Sequence, residues 1–198
     1  MQKKLCTVVA GLMAVPFSLL AQQAAPAASA TPAPAAAPAN PITLSERGLY
    51  GFMSSAVVRA AEKMPEENYG FKPTPEVRSF GQLVGHEADA NYNFCALAAG
   101  ETSPAKGIEK TKTSKADLVA ALKDAVAYCN KTFEGMTDST GSQIVKIFGS
   151  MSVAKLTVLS LNTAHTDEHY GNMVTYMRLK GIVPPTSENA PAPAPAAK

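Results

Sequence analysis

Three histidines make up the entire imidazole complement of this 198-residue chain, and two of them, His165 and His169, stand four residues apart. In a helix that spacing puts both rings on one face, and a third imidazole from a neighbouring helix, His86, completes a three-nitrogen ligand set. Such a set suits a borderline divalent ion, zinc first and nickel second, with water or substrate filling the remaining coordination position. A single histidine is ordinarily a hydrogen-bonded core or surface residue. The weight here rests on all three falling where they can converge. Glu168 lies about 60° around the helix from His165, and Asp89 shares a face with His86, so these two carboxylates are the candidates for assisting proton movement. The competing reading of Glu168 is a solvated helix charge.

Other chemistries fit less well. His165-Thr166-Asp167-Glu168-His169 matches the inverted zinc-protease pattern His-x-x-Glu-His, but that pattern needs an acidic third ligand downstream, and only Glu188 follows. Di-iron bundles need a Glu three residues before a ligand His, and those positions hold Leu83, Asn162 and Thr166. No phosphate-binding glycine loop or nucleophile elbow is present.

Four helical segments position the histidines. The first is predicted from about Ser45 to Met64, with Leu49, Phe52, Met53, Ala56 and Val57 as its apolar stripe and Pro65 as its stop. The second starts near Ser79, carries His86 and ends at Gly100; the third runs from Lys115 to about Phe133 with Ser114 as cap. The last is predicted from about Ser152 to Leu179, its inward line passing through Leu161, His165, His169, Asn172 and Tyr176. No alternating strand pattern competes with these helices, and the apolar piece Ile144 to Phe148 is expected to cross one end of the bundle. The fold class is therefore all-α, a four-helix bundle with a short crossover before the last helix.

Residues 1–21 have the order of a secretory signal: Lys3 and Lys4, an apolar run from Leu5 to Leu20, and Ala21 for cleavage. The run is short, contains Pro16 and lacks a following stop-transfer charge, which disfavours a membrane anchor. Residues 22–41 and 189–198 are Ala/Pro-rich and read as disordered spacers, leaving 42–188 as the folded domain. Export places that domain in the periplasm. Loss of Lys3 and Lys4 brings the 18 basic residues to parity with the 16 acidic ones, so nucleic acid is not an expected partner. Cys95 and Cys129 remain after cleavage, an even pair that is a disulfide candidate in an oxidising compartment. Two separate buried thiols are the alternative.

Ordered motifs surround the histidines. Phe71-Lys72-Pro73-Thr74-Pro75-Glu76-Val77-Arg78-Ser79-Phe80 leads into His86, and His165-Thr166-Asp167-Glu168-His169-Tyr170-Gly171 leads into Tyr176-Met177-Arg178-Leu179-Lys180-Gly181-Ile182-Val183-Pro184-Pro185. On these stretches the chain resembles the DinB (DinB and YfiT-like) superfamily of metalloenzymes over nearly all of the domain. The resemblance implies a four-helix bundle whose divalent ion is held by His86, His165 and His169. It also implies a metal-dependent transferase or isomerase acting with a low-molecular-weight thiol. A hydrolase, a non-catalytic metal- or ligand-binding envelope protein, and an interaction domain on flexible spacers are the other functional readings. A homodimer through a bundle face suits the architecture, although no heptad seam specifies one.

Overall fold

A computed structural model describes residues 39–188. The expected signal peptide, most of the first spacer and the C-terminal tail lie outside the described residues. Four long helices form the bundle: α1 (Pro41–Lys63), α2 (Phe80–Ala99), α4 (Lys115–Glu134) and α6 (Lys155–Leu179). Short helices α3 (Ile108–Thr111) and α5 (Asp138–Gly141) and strands β1 (Ile144–Ile147) and β2 (Met151–Ala154) fill the connections. The principal contacts run α1 to α4, α4 to α2, α2 to α6 and α6 back to α1. The two histidine-bearing helices, α2 and α6, are thus direct neighbours. No helix among the described residues is long and apolar enough to cross a membrane.

Local chemistry sets most helix ends. Ser79 and Gln82 form a reciprocal capping box at the start of α2, and Gly100 closes that helix in the left-handed conformation at φ 79°. Ser114 accepts from the Asp117 amide to start α4. α1 begins earlier than its sequence suggests, at Pro41, because its cap comes from elsewhere. The Asp138 carboxylate accepts from the amides of Ile42 (3.2 Å) and Thr43 (2.8 Å) and from the Thr43 hydroxyl (2.8 Å), while Asn40 accepts from the Asp138 amide.

Three further expectations are corrected. Residues 144–154 form an antiparallel hairpin, Ile144 opposite Ala154 and Ile147 opposite Met151, so α6 starts at Lys155 rather than Ser152. The chain reverses through Phe148 and Gly149, both at positive φ (47° and 82°), a conformation that suits the glycine. On α1, Leu49 and Phe52 are exposed, and the buried line is Tyr50, Val57, Ala60 and Ala61. The reason is Tyr50, whose ring stacks on Phe133 and whose hydroxyl donates to Asn91 at 2.7 Å, which fixes the rotation of the helix. On α6, the buried line likewise includes Leu159, Asn162, Thr166, His169, Met173 and Met177, leaving Asn172 exposed.

The apolar core is in two parts. One is built around Met64, Phe80, Val84, Leu118, Leu122, Met173 and Met177, the other around Tyr50, Cys95, Cys129, Phe133, Val158 and Leu159. Each fully buried side chain of this size contributes about 1.5–3 kcal/mol. Cys95 and Cys129 are joined, stapling α2 to α4 with their Cα atoms 5.3 Å apart.

Candidate metal centre

Asn91, Leu83 and Val84 face the core on α2, which turns His86 toward α6; there, one helical turn stacks His165 above His169. The three imidazoles meet in a cluster whose ligand atoms all lie within 4.8 Å of one another. Ring centroids are 5.0 Å apart for His86 and His165, 4.8 Å for His86 and His169, and 4.4 Å for His165 and His169. His169 is buried, and the other two are partly buried.

The ring atoms are arranged asymmetrically. His86 and His165 direct Nε2 at each other across 3.1 Å. Behind them, His86 Nδ1 lies 3.1 Å from Glu109 Oε2 and His165 Nδ1 lies 2.9 Å from Glu87 Oε1. A carboxylate beside Nδ1 favours the proton there, which leaves a lone pair on Nε2. Two lone pairs held 3.1 Å apart repel unless a proton or cation lies between them. Two nitrogens on one tetrahedral zinc, at about 2.0–2.1 Å each, lie roughly 3.3 Å apart. The residues present therefore fit a divalent ion. Burial, followed by the Arg78 charge and the His165 ring, holds His86 below the usual imidazole range against the opposing pull of Glu109. Burial lowers His169 as well, against the pull of Glu87. Neutral rings are the form that binds metal.

Glu109 reaches His86 because α3 packs tightly on α2. A Cβ at Gly85 would stand 2.7 Å from Glu109 Cα and 2.9 Å from Glu109 N, so only glycine admits this approach. Asp89, expected to serve proton movement, is placed with Oδ1 on the Ile108 amide (2.9 Å) and Oδ2 on the Glu109 amide (3.0 Å). It holds the start of α3 and thereby Glu109. Arg78 donates through Nε to the other Glu109 oxygen at 2.8 Å, and its carbonyl accepts from Tyr176 at 2.8 Å.

An open cleft of about 550 Å³ reaches the cluster through His169; Lys72, Arg78, Gln82, Glu168 and Tyr176 are among its lining residues. Glu168 stands at this cleft, exposed to solvent. Cys95 lies among the apolar residues of the second core, joined to Cys129.

Sequence reasoning passed over Glu87 and Glu109. Glu87 was legible in outline, because it falls on the same helical line as Leu83, Val84, Ala88 and Asn91, a core position for a charged residue. Glu109 carried no such signal, since only the packing of α3 brings it to His86.

Known proteins share the fold. A family model described as the DinB superfamily matches residues 52–173. A DinB-like protein from Bacillus cereus superimposes with a TM-score of 0.64 at 14% identity, over 71% of this chain and 93% of that one. A DinB-like protein from Bacillus subtilis gives 0.57 at 23% identity, over 69% and 92%. A mycothiol-dependent maleylpyruvate isomerase gives 0.58 at 16% identity, covering 66% of this chain and 60% of that one. No curated protein matches the chain.

Proposed function

Because the chain belongs to the DinB superfamily, we propose that it binds a divalent metal, zinc first and nickel second, through His86, His165 and His169, and works as an exported metal-dependent enzyme of thiol-transferase or hydrolase type. The observation that carries this reading is the pair of Nε2 atoms 3.1 Å apart, each imidazole backed at Nδ1 by a carboxylate. A bound ion would supply Lewis acidity toward a thiol or water. The structural resemblance to a mycothiol-dependent isomerase supports the thiol reading.

The chain's own residues set the surroundings of that chemistry. The cleft opens to solvent beside His169, which favours an exchangeable position over a closed structural site. Glu168 lines the cleft, and we assign it the acceptance of a proton there; Lys72 and Arg78 bring positive charge to the same cleft. The apolar run after Lys3 and Lys4 supports export, and the Cys95–Cys129 pairing suits the oxidising compartment to which export would deliver the chain.

The test is metal content by mass spectrometry on the exported chain, purified without a polyhistidine tag, beside His169→Ala. Near-stoichiometric zinc or nickel in the wild type and its loss in the variant are expected. A metal-free wild type that stays folded and gains no thermal stability from added divalent ions overturns the reading.

A further inference from the structure

Glu87 is fully buried, on the core line of α2. A buried carboxylate is costly unless a charge or a set of hydrogen bonds compensates it. Neither Glu87 oxygen has a well-aligned hydrogen-bond donor among the described residues. Asn91 donates to the Glu87 carbonyl at 2.8 Å, and the Asn91 oxygen accepts from Tyr50 (2.7 Å) and Asn162 (3.0 Å). The one charged-group contact found for the Glu87 carboxylate among the described residues is His165 Nδ1 at 2.9 Å, at hydrogen-bond distance but without hydrogen-bond alignment. The negative charge is therefore aimed at the histidine cluster and at nothing else of opposite sign.

We propose that Glu87 is a positioning residue for the metal, the buried counter-charge that keeps the His165 proton on Nδ1 and presents its Nε2 lone pair to the ion; this rests on the three-histidine reading above. Glu109 does the same for His86 from the opposite side. The two differ in strength. Glu109 is partly exposed and shares its carboxylate with Arg78, whereas Glu87 is enclosed and unshared, so its field is less screened.

Zinc titration against a competing chelator tests this on metal-free wild type, Glu87→Gln, Glu109→Gln and His169→Ala, with thermal melts of each in the absence and presence of zinc. Gln keeps the size and the acceptor oxygen and removes the charge. Glu87→Gln is expected to weaken zinc binding 10–100-fold, and Glu109→Gln to weaken it less. The metal-free melting temperature of Glu87→Gln should match or exceed that of the wild type, because a buried charge is gone, while the zinc-induced rise shrinks. A merely structural residue would lower both melts together, and that result, or zinc affinity within twofold of wild type, overturns the proposal. Nitrogen-15 spectra of the zinc-loaded wild type give a check that needs no variant: His165 and His86 should carry the proton on Nδ1 and bind through Nε2. Ligation through Nδ1 by His165 overturns the proposal. A wild type that binds no zinc removes this inference and the three-histidine reading together, whereas zinc-binding wild type with an unaffected Glu87→Gln removes this inference alone.

Discussion

Reducing the Cys95–Cys129 bridge should cost the domain about a quarter or more of an ordinary folding free energy. The two cysteines are 34 residues apart, and closing a loop of that length removes about 12.6 cal/mol/K of unfolded-chain entropy, or about 3.8 kcal/mol at 25 °C. Domains of this size are stable by roughly 5–15 kcal/mol. Both sulfurs are fully buried in the second core, so a Cys95→Ala/Cys129→Ala variant also leaves a void, adding about 1 kcal/mol or more. Urea unfolding of the oxidised and reduced wild type separates the cross-link from the void, and the double variant adds the latter. The expected order of stability is oxidised wild type, reduced wild type, double variant, with the first gap at about 3–4 kcal/mol. In thermal melts that gap corresponds to roughly 8–15 °C. A first gap below about 1 kcal/mol would refute the reasoning, as would two titratable thiols in native protein isolated without reductant.

Two further outcomes follow from the packing around the ends of α1 and α3. Gly85→Ala places a methyl against the Glu109 backbone and should cost about 1–3 kcal/mol, and it should also weaken zinc binding by moving Glu109 off His86. An unchanged urea midpoint with unchanged zinc affinity would mean that α3 shifts freely, against this account. Asp138→Asn tests the remote cap of α1. Burial acts to raise the Asp138 pKa, but the bonds from the Thr43 amide, the Thr43 hydroxyl and the Ile42 amide outweigh it and hold the carboxyl below its usual range. A depressed folded-state pKa stabilises the fold above the unfolded value, and the contribution disappears as pH falls through the folded value. The variant should therefore be less stable than wild type at pH 7, and the two should converge below the carboxylate range; a gap that persists undiminished at low pH would sink the capping role.

What the sequence revealed divides along the range of the interactions. Helix ends fixed within four residues were legible: Ser79, Gly100 and Ser114 cap in the structure as their types suggest. The start of α1 was not, because Asp138, at the start of α5 and 95 residues away in sequence, supplies the cap. The hairpin was not, because two four-residue strands are too short to establish a period of two. The face of α1 was misjudged for a chemical reason. Leu49 and Phe52 are more apolar than Tyr50, but Tyr50 has a buried acceptor in Asn91, and a stripe drawn from hydropathy alone does not contain that bond. At the site, the three histidines were readable from count and spacing, whereas Asp89 was read as chemistry and sits as scaffold.

The two-part core explains why the bridge and the histidine cluster occur in one small bundle. Along three of the four long helices the two apolar clusters are separated by a buried polar step: Ser54 on α1, Asn91 on α2, and Asn162 with Thr166 on α6. Burying such groups forfeits the hydrophobic gain that apolar residues would give there, and Asn162 Oδ1 and Thr166 Oγ1 have no hydrogen-bond partner among the described residues. Selection for stability alone would fill this layer with Leu and Val. Glu87, at its edge, adds a charge that stabilises only when a cation is near. The Cys95–Cys129 bridge lies on the other side of this layer, within the smaller cluster, with the Asn162 amide 3.7 Å from each sulfur. A covalent staple at that place offsets the weakness that the polar layer introduces and keeps α2 in register with α4. That register in turn sets the positions of His86 and Glu87 at the histidine cluster.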